Sequence, residues 1–394
     1  MLQVTELQRA APHDGFALFR LGFRPFYLLA ALYAALAIPI WLHALRGGAW
    51  HGAVAPLAWH QHEMVFGFAL AVIAGFLLTA GRVWTGRHTP EGITLALIAL
   101  HWLAARILLL VGTPLAAGLV DGAFPFLLAA VMARPLIAAG STRNYFVPVL
   151  LAGLGAANVL FHLEQAQRLD IPGGLPMRAA LFLVLFLVVV MAGRVIPAFT
   201  ASALPQAGVR RQPRLDLVAL AFTFAAFSMA AVEAPAFLLA PVAFATALLQ
   251  VWRQAAWKPL ASAGRPILWI LHVSHAWIPL SCALLAAASM GWVAQSVAMH
   301  ALGVGVIGGM VIGMITRTAL GHTGRALVAG RAETACFVLV HGAALLRVLA
   351  GLLPADAAWP MILGAAALWS AAFLLYVLAY APRLARPRVD GRPG

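Results

Sequence analysis

Twelve long apolar stretches, separated by short polar segments, constrain this chain more than any other feature. A helix that crosses a membrane needs about 20 mostly apolar residues, because lipid offers no hydrogen-bond partner to the backbone. Hydrophobic residues make up 63% of the 394 residues and charged residues only 10%, which is typical of integral membrane proteins. The stretches lie at 26–46, 59–80, 92–111, 114–133, 144–166, 177–199, 215–232, 234–252, 266–289, 294–315, 332–353 and 357–380.

The predicted fold is therefore all-α: a polytopic integral membrane protein with about twelve transmembrane helices in one bundle. Residues 1–25 contain arginines but no apolar core, so they are interpreted as a cytoplasmic leader and not as a cleaved signal. The transmembrane domain covers 26–380, and residues 381–394 form a basic tail. We expect few residues outside the membrane domain and its short loops.

The basic residues predict the orientation. The formal net charge is +14, but the arginines are scattered over many loops, which argues against a nucleic-acid partner and leaves membrane lipid as the expected surroundings. With both termini in the cytoplasm, 21 of the 26 basic residues fall in cytoplasmic segments. This bias orients membrane proteins. The prediction is a multi-pass protein with cytoplasmic termini.

Histidines are the polar residues that recur inside the predicted spans. Carboxylates such as Glu63, Asp121 and Glu164 fall in the outer parts of spans, and none is predicted at mid-membrane. This distribution argues against a transporter coupled to protons or sodium, which usually places acidic groups near the midplane. Buried imidazole, in contrast, is a common ligand of copper, zinc and haem iron.

Two histidine pairs favour metal binding over simple helix-to-helix hydrogen bonding. His272 and His275 are three residues apart, so they share one helix face. His60 and His62, in the stretch WHQHEM, point in nearly opposite directions in a regular helix, so the helix is distorted there or the two have different roles. Glu63 can accept the remaining N–H of a ligating imidazole. For the single His101 and His341, a structural hydrogen bond is favoured.

Glycines and arginines mark the predicted tenth span and its cytoplasmic end. Glycines recur every four residues in MHALGVGVIGGMVIGMITR (299–317), which favours close helix packing over a surface for a flat macrocycle. Arginines, His322 and a threonine then gather in MITRTALGHTGRAL (314–327), with GRVIPAFT (193–200) predicted at the same depth. This set is either an anion clamp or an ordinary basic loop. The candidate clamp residues are Arg194, Arg317, His322 and Arg325.

These motifs together resemble the NnrS family of bacterial membrane proteins. The matching pieces, in order along residues 18–325, are LFRLGFRPFYLLAAL, WHQHEM, AGFLLTAGRVWTG, RN, GRVIPAFT, LHVSHAW, MHALGVGVIGGM and TRTALGHTGR. The last two spans carry no matching motif. The resemblance implies haem and copper cofactors, a location in the bacterial inner membrane, and a role in the denitrification-linked response to nitric oxide.

Carried over by motif, the resemblance implies functional roles for eight residues. Glu63 is the candidate catalytic residue, and His60, His62, His272 and His300 are the candidate metal ligands. Arg317, His322 and Arg325 are candidate cofactor-binding residues, as is Arg194 on position. His275 is retained as a candidate ligand for its pairing with His272, although the family pattern has an aromatic residue there.

Two functions remain open at this stage. In the first, metal centres with histidine ligands bind nitric oxide and either reduce it, as an oxidoreductase with an unidentified electron donor, or only hold it. In the second, the protein transports a metal, haem or a small anion. The sequence does not decide between them, and it does not reveal the oligomeric state.

Overall fold

A computed structural model describes residues 15–392, and this part of the chain is helical, with no β-strand. It contains twelve helices that are long and apolar enough to cross a membrane, so all twelve predicted spans are confirmed. The helices, numbered α1 to α12, are Phe23–Leu45, Pro56–Thr85, Gly92–Val111, Pro114–Ala138, Thr142–Gln165, Leu175–Ala203, Pro213–Ala231, Ala236–Ala255, Pro266–Ser289, Gln295–His322, Arg331–Ala350 and Ala355–Ala385.

The first and last helices extend slightly beyond the predicted membrane domain. Helix α1 begins at Phe23 and α12 ends at Ala385, so parts of the predicted leader and basic tail are helical. Residues 1–14 of the predicted leader lie outside the described residues. The protein is a multi-pass membrane protein.

The chain is organised in two compact units. Unit 1 comprises the described residues up to 180, with 317–327 and 376–392, and unit 2 comprises 181–316 and 328–375. In unit 1, α1 packs on α2, and α4 packs on α2, α3 and α5. In unit 2, α9 packs on α8 and α10, and α10 packs on α11.

Helix α2 is not a regular helix where the WHQHEM motif lies. It is α-helical over Pro56–His62, becomes a π-helix over Glu63–Ala69 and is α-helical again over Leu70–Thr85. A π-helical turn inserts an extra residue and rotates the side chains that follow it, and such turns are frequent at functional sites. The distortion begins only after His62, whereas the segment that holds His60 and His62 is regular α-helix, so the two histidines point in different directions.

Helix α10 in unit 2 has the same local design. Its α-helical start ends at His300, a π-helix covers Ala301–Gly308, and an α-helix continues over Gly309–His322. A gapless alignment of His62 with His300 also matches two glycines and a Thr-Gly-Arg triplet. The matched pairs are Gly67 with Gly305, Gly75 with Gly313, and 85–87 with 323–325.

The central glycine of each triplet has a left-handed backbone, with φ of 63° at Gly86 and 76° at Gly324. Glycine adopts this conformation without the steric cost that a Cβ would add. Both helices have a π-helix directly after a histidine, and both are followed or ended by a Thr-Gly-Arg triplet. These two common features identify α2 and α10 as related segments of an internal repeat.

The glycine face of α10 is filled by neighbouring helices. A Cβ atom at Gly305 would collide with the Trp277 ring, and one at Gly309 would collide with Ser274 and His341. Gly313 is covered by side chains of α9 in the same way. The repeated glycines therefore serve close helix packing, the interpretation that the sequence favoured.

Candidate metal centre

Glu63, the first residue of the π-helix in α2, is fully buried and accepts three hydrogen bonds. Its Oε1 is 2.6 Å from Nη1 of Arg106 on α3 and 2.8 Å from Nδ1 of His62, and its Oε2 accepts from the Tyr33 hydroxyl on α1. With the Arg106 guanidinium and the Tyr33 hydroxyl both donating to it, the Glu63 carboxylate acts as an acceptor toward His62 as well. His62 therefore carries a proton on Nδ1.

Arg106 joins the two buried carboxylates of unit 1. Its Nη1 donates to Glu63 and its Nη2 donates to Oδ1 of Asp121 on α4, and the three side chains are all at most 2% exposed. Charges at this depth are costly unless they are paired and hydrogen-bonded. The guanidinium compensates one negative charge, so Glu63, Arg106 and Asp121 together carry a formal charge of −1.

Two residues of α5 complete the cluster. Asn158 donates from Nδ2 to Oδ2 of Asp121 at 2.7 Å and to its backbone oxygen at 3.3 Å, and this fixes the orientation of the amide. The amide oxygen of Asn158 then lies 2.9 Å from Nε2 of His62. His162 places its Nε2 3.1 Å from Oδ2 of Asp121.

Nε2 of His62 consequently faces only hydrogen-bond acceptors. It lies 2.9 Å from Oδ2 of Asp121 and 2.9 Å from Oδ1 of Asn158. Since Nδ1 already carries the ring proton, a neutral His62 would direct its Nε2 lone pair at two oxygen lone pairs. A proton or a metal ion must lie at this position: a second ring proton on His62, a proton on Oδ2 of Asp121, or an ion, and each of these makes up for the residual negative charge.

The nitrogen and oxygen atoms around this position have the spacing of a metal site. One ligand atom each from His62, Asp121 and His162 lies within 4.8 Å of the other two. Two imidazoles and a carboxylate are a ligand set that suits first-row transition metals. The Nδ1–H of His62 bonded to Glu63 matches the outer carboxylate that commonly orients a ligating histidine.

The second predicted histidine pair lies in unit 2, on α9. Gln254 of α8 donates from Nε2 to the backbone oxygen of His272 at 2.6 Å, so its Oε1 must accept the Nδ1–H of His275 at 3.0 Å. Nε2 of His275 is left with a lone pair, and this buried atom has no partner within the described residues. His275 is thus held with its Nδ1–H on Gln254 and with a buried Nε2 lone pair that no described residue contacts.

Contacts with Thr200 also fix the tautomer of His272. The Thr200 hydroxyl donates to the backbone oxygen of Ile196 at 2.8 Å, so the Thr200 oxygen can only accept from Nε2–H of His272, 3.0 Å away. The Nδ1 atom of His272 therefore carries a lone pair, and it too is buried without a partner among the described residues.

The remaining predicted residues lie outside these two clusters. His60 stacks on Trp41 with ring centroids 4.2 Å apart, so it does not share a site with His62. Nδ1 of His300 bonds the backbone oxygen of Ser296 at 2.7 Å. Of the candidate clamp residues, Arg194 belongs to unit 2, whereas Arg317, His322 and Arg325 belong to unit 1.

The two single histidines make structural hydrogen bonds, as the sequence favoured. Nε2 of His101 lies 2.7 Å from the backbone oxygen of Val120 in the next helix, and Nδ1 of His341 accepts from the Trp277 indole at 3.1 Å.

Sequence reasoning flagged His62 and Glu63 but missed most of their partners. Arg106, Asp121, Asn158 and His162 come from three other helices. The available signal was an arginine and an aspartate inside predicted spans, since ionisable residues at such positions are usually functional.

The comparison with protein-family models agrees with this picture. A model described as NnrS protein matches residues 17–388, which is nearly the whole chain. The chain belongs to the NnrS family. The match includes α11 and α12, for which the motifs gave no resemblance. No curated protein was found to match the chain.

Family membership supports a membrane protein of the nitric oxide response. It fits the twelve membrane-crossing helices. The NnrS family is also associated with metal and haem binding, and the group formed by His62, Asp121 and His162 is a place where this chain can bind a metal.

Proposed function

We propose that this NnrS protein binds nitric oxide within the bacterial inner membrane at metal centres held by buried histidines. The observation that carries the proposal is Nε2 of His62, which faces the oxygen atoms of Asp121 and Asn158 with no donor between them. In this proposal His62, Asp121 and His162 would hold a copper ion at that position. Both termini face the cytoplasm.

We call His62, Asp121 and His162 the triad. The residues around it are suited to supporting a metal site. Glu63 fixes the tautomer of His62, and Asn158 and Arg106 hold Asp121 from two sides. These contacts restrict the side chains before any ion binds, which lowers the entropy cost of ligation. Glu63 has three donors of its own, so its contribution is to position His62. Its predicted catalytic role stays a prediction.

Haem is assigned to unit 2 in this proposal. Nε2 of His275 has a buried lone pair that would bind the haem iron, and its Nδ1–H is bonded to Gln254, which would orient the ring. The glycine face of α10 is occupied by side chains, so it does not supply a surface for the macrocycle.

A bound copper or haem iron would supply an open coordination position for nitric oxide. The chain supplies the surroundings: a small apolar gas dissolves in lipid and needs no polar channel to reach a site between helices. Glu63 lies seven residues from the start of α2, about 10 Å along the helix, so the triad is shallow in the membrane. If nitric oxide is reduced, we expect protons to arrive from this end.

The test is metal analysis with optical and paramagnetic spectra of the full chain, purified in detergent. We expect stoichiometric copper that is lost in Asp121→Asn and in His162→Gln. The matched control is His101→Gln, because His101 bonds only a backbone oxygen and should leave the copper content unchanged. Haem bands should persist in the triad variants and disappear in His275→Phe.

Other outcomes would reject parts of the proposal. A folded protein without stoichiometric metal would mean that a proton, on His62 or on Asp121, takes the position instead. Copper that binds equally well to all triad variants would place the metal elsewhere. Metal that is released on purification and taken up by vesicles containing the protein would favour the alternative function, a metal transporter.

A further inference from the structure

Three segments from different parts of the chain meet at one end of unit 1: the start of α1, the end of α10 and the end of α12. Arg24 donates from Nη1 to the backbone oxygens of Leu384 and Arg386, at 2.7 Å and 2.8 Å. Beyond α12, the backbone N–H of Val389 donates to the backbone oxygen of Thr323 at 3.1 Å. These hydrogen bonds fix the three segments to one another.

These segments contain many more positive than negative charges. Their described residues are 15–24, 317–327 and 376–392, with eight arginines and a single carboxylate, Asp390. Arg388 donates to both oxygens of Asp390, from Nε at 2.9 Å and from Nη2 at 2.6 Å. In the neighbouring loop, Glu91 pairs with Arg82. We call the three segments the arginine end of unit 1.

Three guanidinium groups of the arginine end are close enough to influence one another. Burial lowers the pKa of Arg325, and the like charges of Arg383 and Arg386 lower it further. Arg386 is exposed, and Arg325 and Arg383 are partly exposed. Like charges at short range repel each other, so an anion bound between such groups stabilises them.

The arginines lie at the depth of lipid headgroups. Arg383 lies in the last turn of α12. The backbone N–H of Arg325 donates at 2.9 Å to the backbone oxygen of Leu320, so Arg325 folds back onto the last turn of α10. The headgroups of a bilayer lie just outside its hydrocarbon layer, where membrane-crossing helices end. The guanidinium groups are therefore at the level of lipid phosphates.

Apolar side chains of the arginine end favour a lipid over a soluble anion. Phe16, Leu327 and Val389 are exposed, and so is Leu378, which precedes Arg383 by five residues on α12. A soluble anion would contact only the arginines. A phospholipid brings a phosphate for the arginines and acyl chains for the apolar side chains, so it matches both.

We propose that the arginine end of unit 1 binds an anionic phospholipid, with Arg325 and Arg386 donating to its phosphodiester. A guanidinium donates two parallel hydrogen bonds to the two non-bridging oxygens of such a group. Phosphatidylglycerol presents this charge alone, whereas the choline group of phosphatidylcholine offsets it. The site is separate from the triad and from His275, so it does not depend on the proposed function.

The experiment titrates the full chain, purified in a nonionic detergent, with phosphatidylglycerol or with phosphatidylcholine that has the same acyl chains. Native mass spectrometry measures how many lipids each protein molecule binds. The native chain should bind its first phosphatidylglycerol about tenfold more tightly than its first phosphatidylcholine.

Three double variants locate the effect. Arg325→Gln with Arg386→Gln should reduce the preference to about twofold or less. Arg325→Lys with Arg386→Lys keeps the charge but loses the paired donors, so its preference should lie between these values. Arg210→Gln with Arg214→Gln is the matched control, because it removes the same charge from exposed positions at the start of α7, on the same side of the membrane. It should keep the tenfold preference.

Equal affinity of the native chain for the two lipids would overturn the proposal, as would a preference that survives in Arg325→Gln with Arg386→Gln. An equal loss in the Arg210 and Arg214 control would show that net charge alone attracts the lipid, which also overturns it. An undiminished preference in the lysine variant would rule out the paired hydrogen bonds.

A soluble competitor distinguishes a lipid site from a site for a free anion. Glycerophosphoglycerol, the headgroup without acyl chains, should displace phosphatidylglycerol only at concentrations about 100-fold higher or more, because it lacks the apolar contacts. Displacement at equal concentration would show that the arginine end takes a soluble anion, and the proposal would be wrong.

Discussion

The two units place buried histidines in opposite electrostatic settings. In unit 1, His62 lies in a network with Glu63, Asp121 and Arg106, where every ring nitrogen faces an oxygen atom. In unit 2, His275 bonds a neutral amide, that of Gln254, and its other ring nitrogen faces no partner in the described part of the chain. The first setting requires a proton or a metal ion between His62 and Asp121, and the second leaves a ring lone pair without a partner in the described residues. Burial alone therefore does not define what a membrane histidine does.

The internal repeat makes this contrast sharper. His62 and His300 occupy equivalent positions before a π-helix, but Glu63 is matched by Ala301. Without a carboxylate next to it, His300 bonds its own helix backbone. The π-helix thus begins with a charged side chain, Glu63, in α2 and with an apolar one, Ala301, in α10.

The largest effect is expected from removing the charge that holds the unit 1 network together. Arg106→Met would leave Glu63 and Asp121 buried without their shared cation and should cost about 3–5 kcal/mol of unfolding free energy. Thermal or denaturant unfolding of the detergent-purified protein measures this.

Arg168→Met, at an exposed loop position, is the matched control and should change stability by about 0.5 kcal/mol at most. The triple variant Arg106→Met, Glu63→Gln, Asp121→Asn should be more stable than Arg106→Met alone. If it is less stable, the carboxylates are not the source of the cost, and the description of unit 1 as a charge-balanced network is wrong.

The next largest effect on stability should distinguish His62 from His275. His62→Phe removes the cation position from between two carboxylates, whereas His275→Phe leaves only the Gln254 amide oxygen without its donor. We expect a loss of about 3 kcal/mol or more for the first and of about 1–3 kcal/mol for the second.

The same unfolding measurement, made on metal-free protein, checks this order. If His62→Phe and His275→Phe lose the same unfolding free energy, the two histidines do not differ electrostatically as described.

The smallest effect concerns the packing of the glycine face of α10 in unit 2. Gly309→Ala should cost about 1–3 kcal/mol, because its Cβ would meet Ser274 and His341. Gly303→Ala, on the same helix with no heavy atom near its added Cβ, should be close to neutral.

A spectrum of tryptophan fluorescence from Gly309→Ala should also change, since His341 accepts from the Trp277 indole. Equal stability of the two alanine variants would show that α10 is packed more loosely than described.

The sequence by itself determined the twelve helices and their approximate ends. Lipid forces each span to satisfy its own backbone, so hydropathy along the chain is enough to locate it. The motif WHQHEM also pointed to His62 and Glu63, and the geometry of a regular helix already separated His60 from His62.

Tertiary structure decided which groups meet and which atom of each is available. Arg106, Asp121 and Asn158 lie on the three helices that follow α2, and no periodicity relates them to His62. The tautomers of His272 and His275 depend on Thr200 and Gln254, which also come from other helices. Hydropathy reports the contact of a span with lipid, whereas a site depends on contacts between spans, and these exist only once the helices have packed.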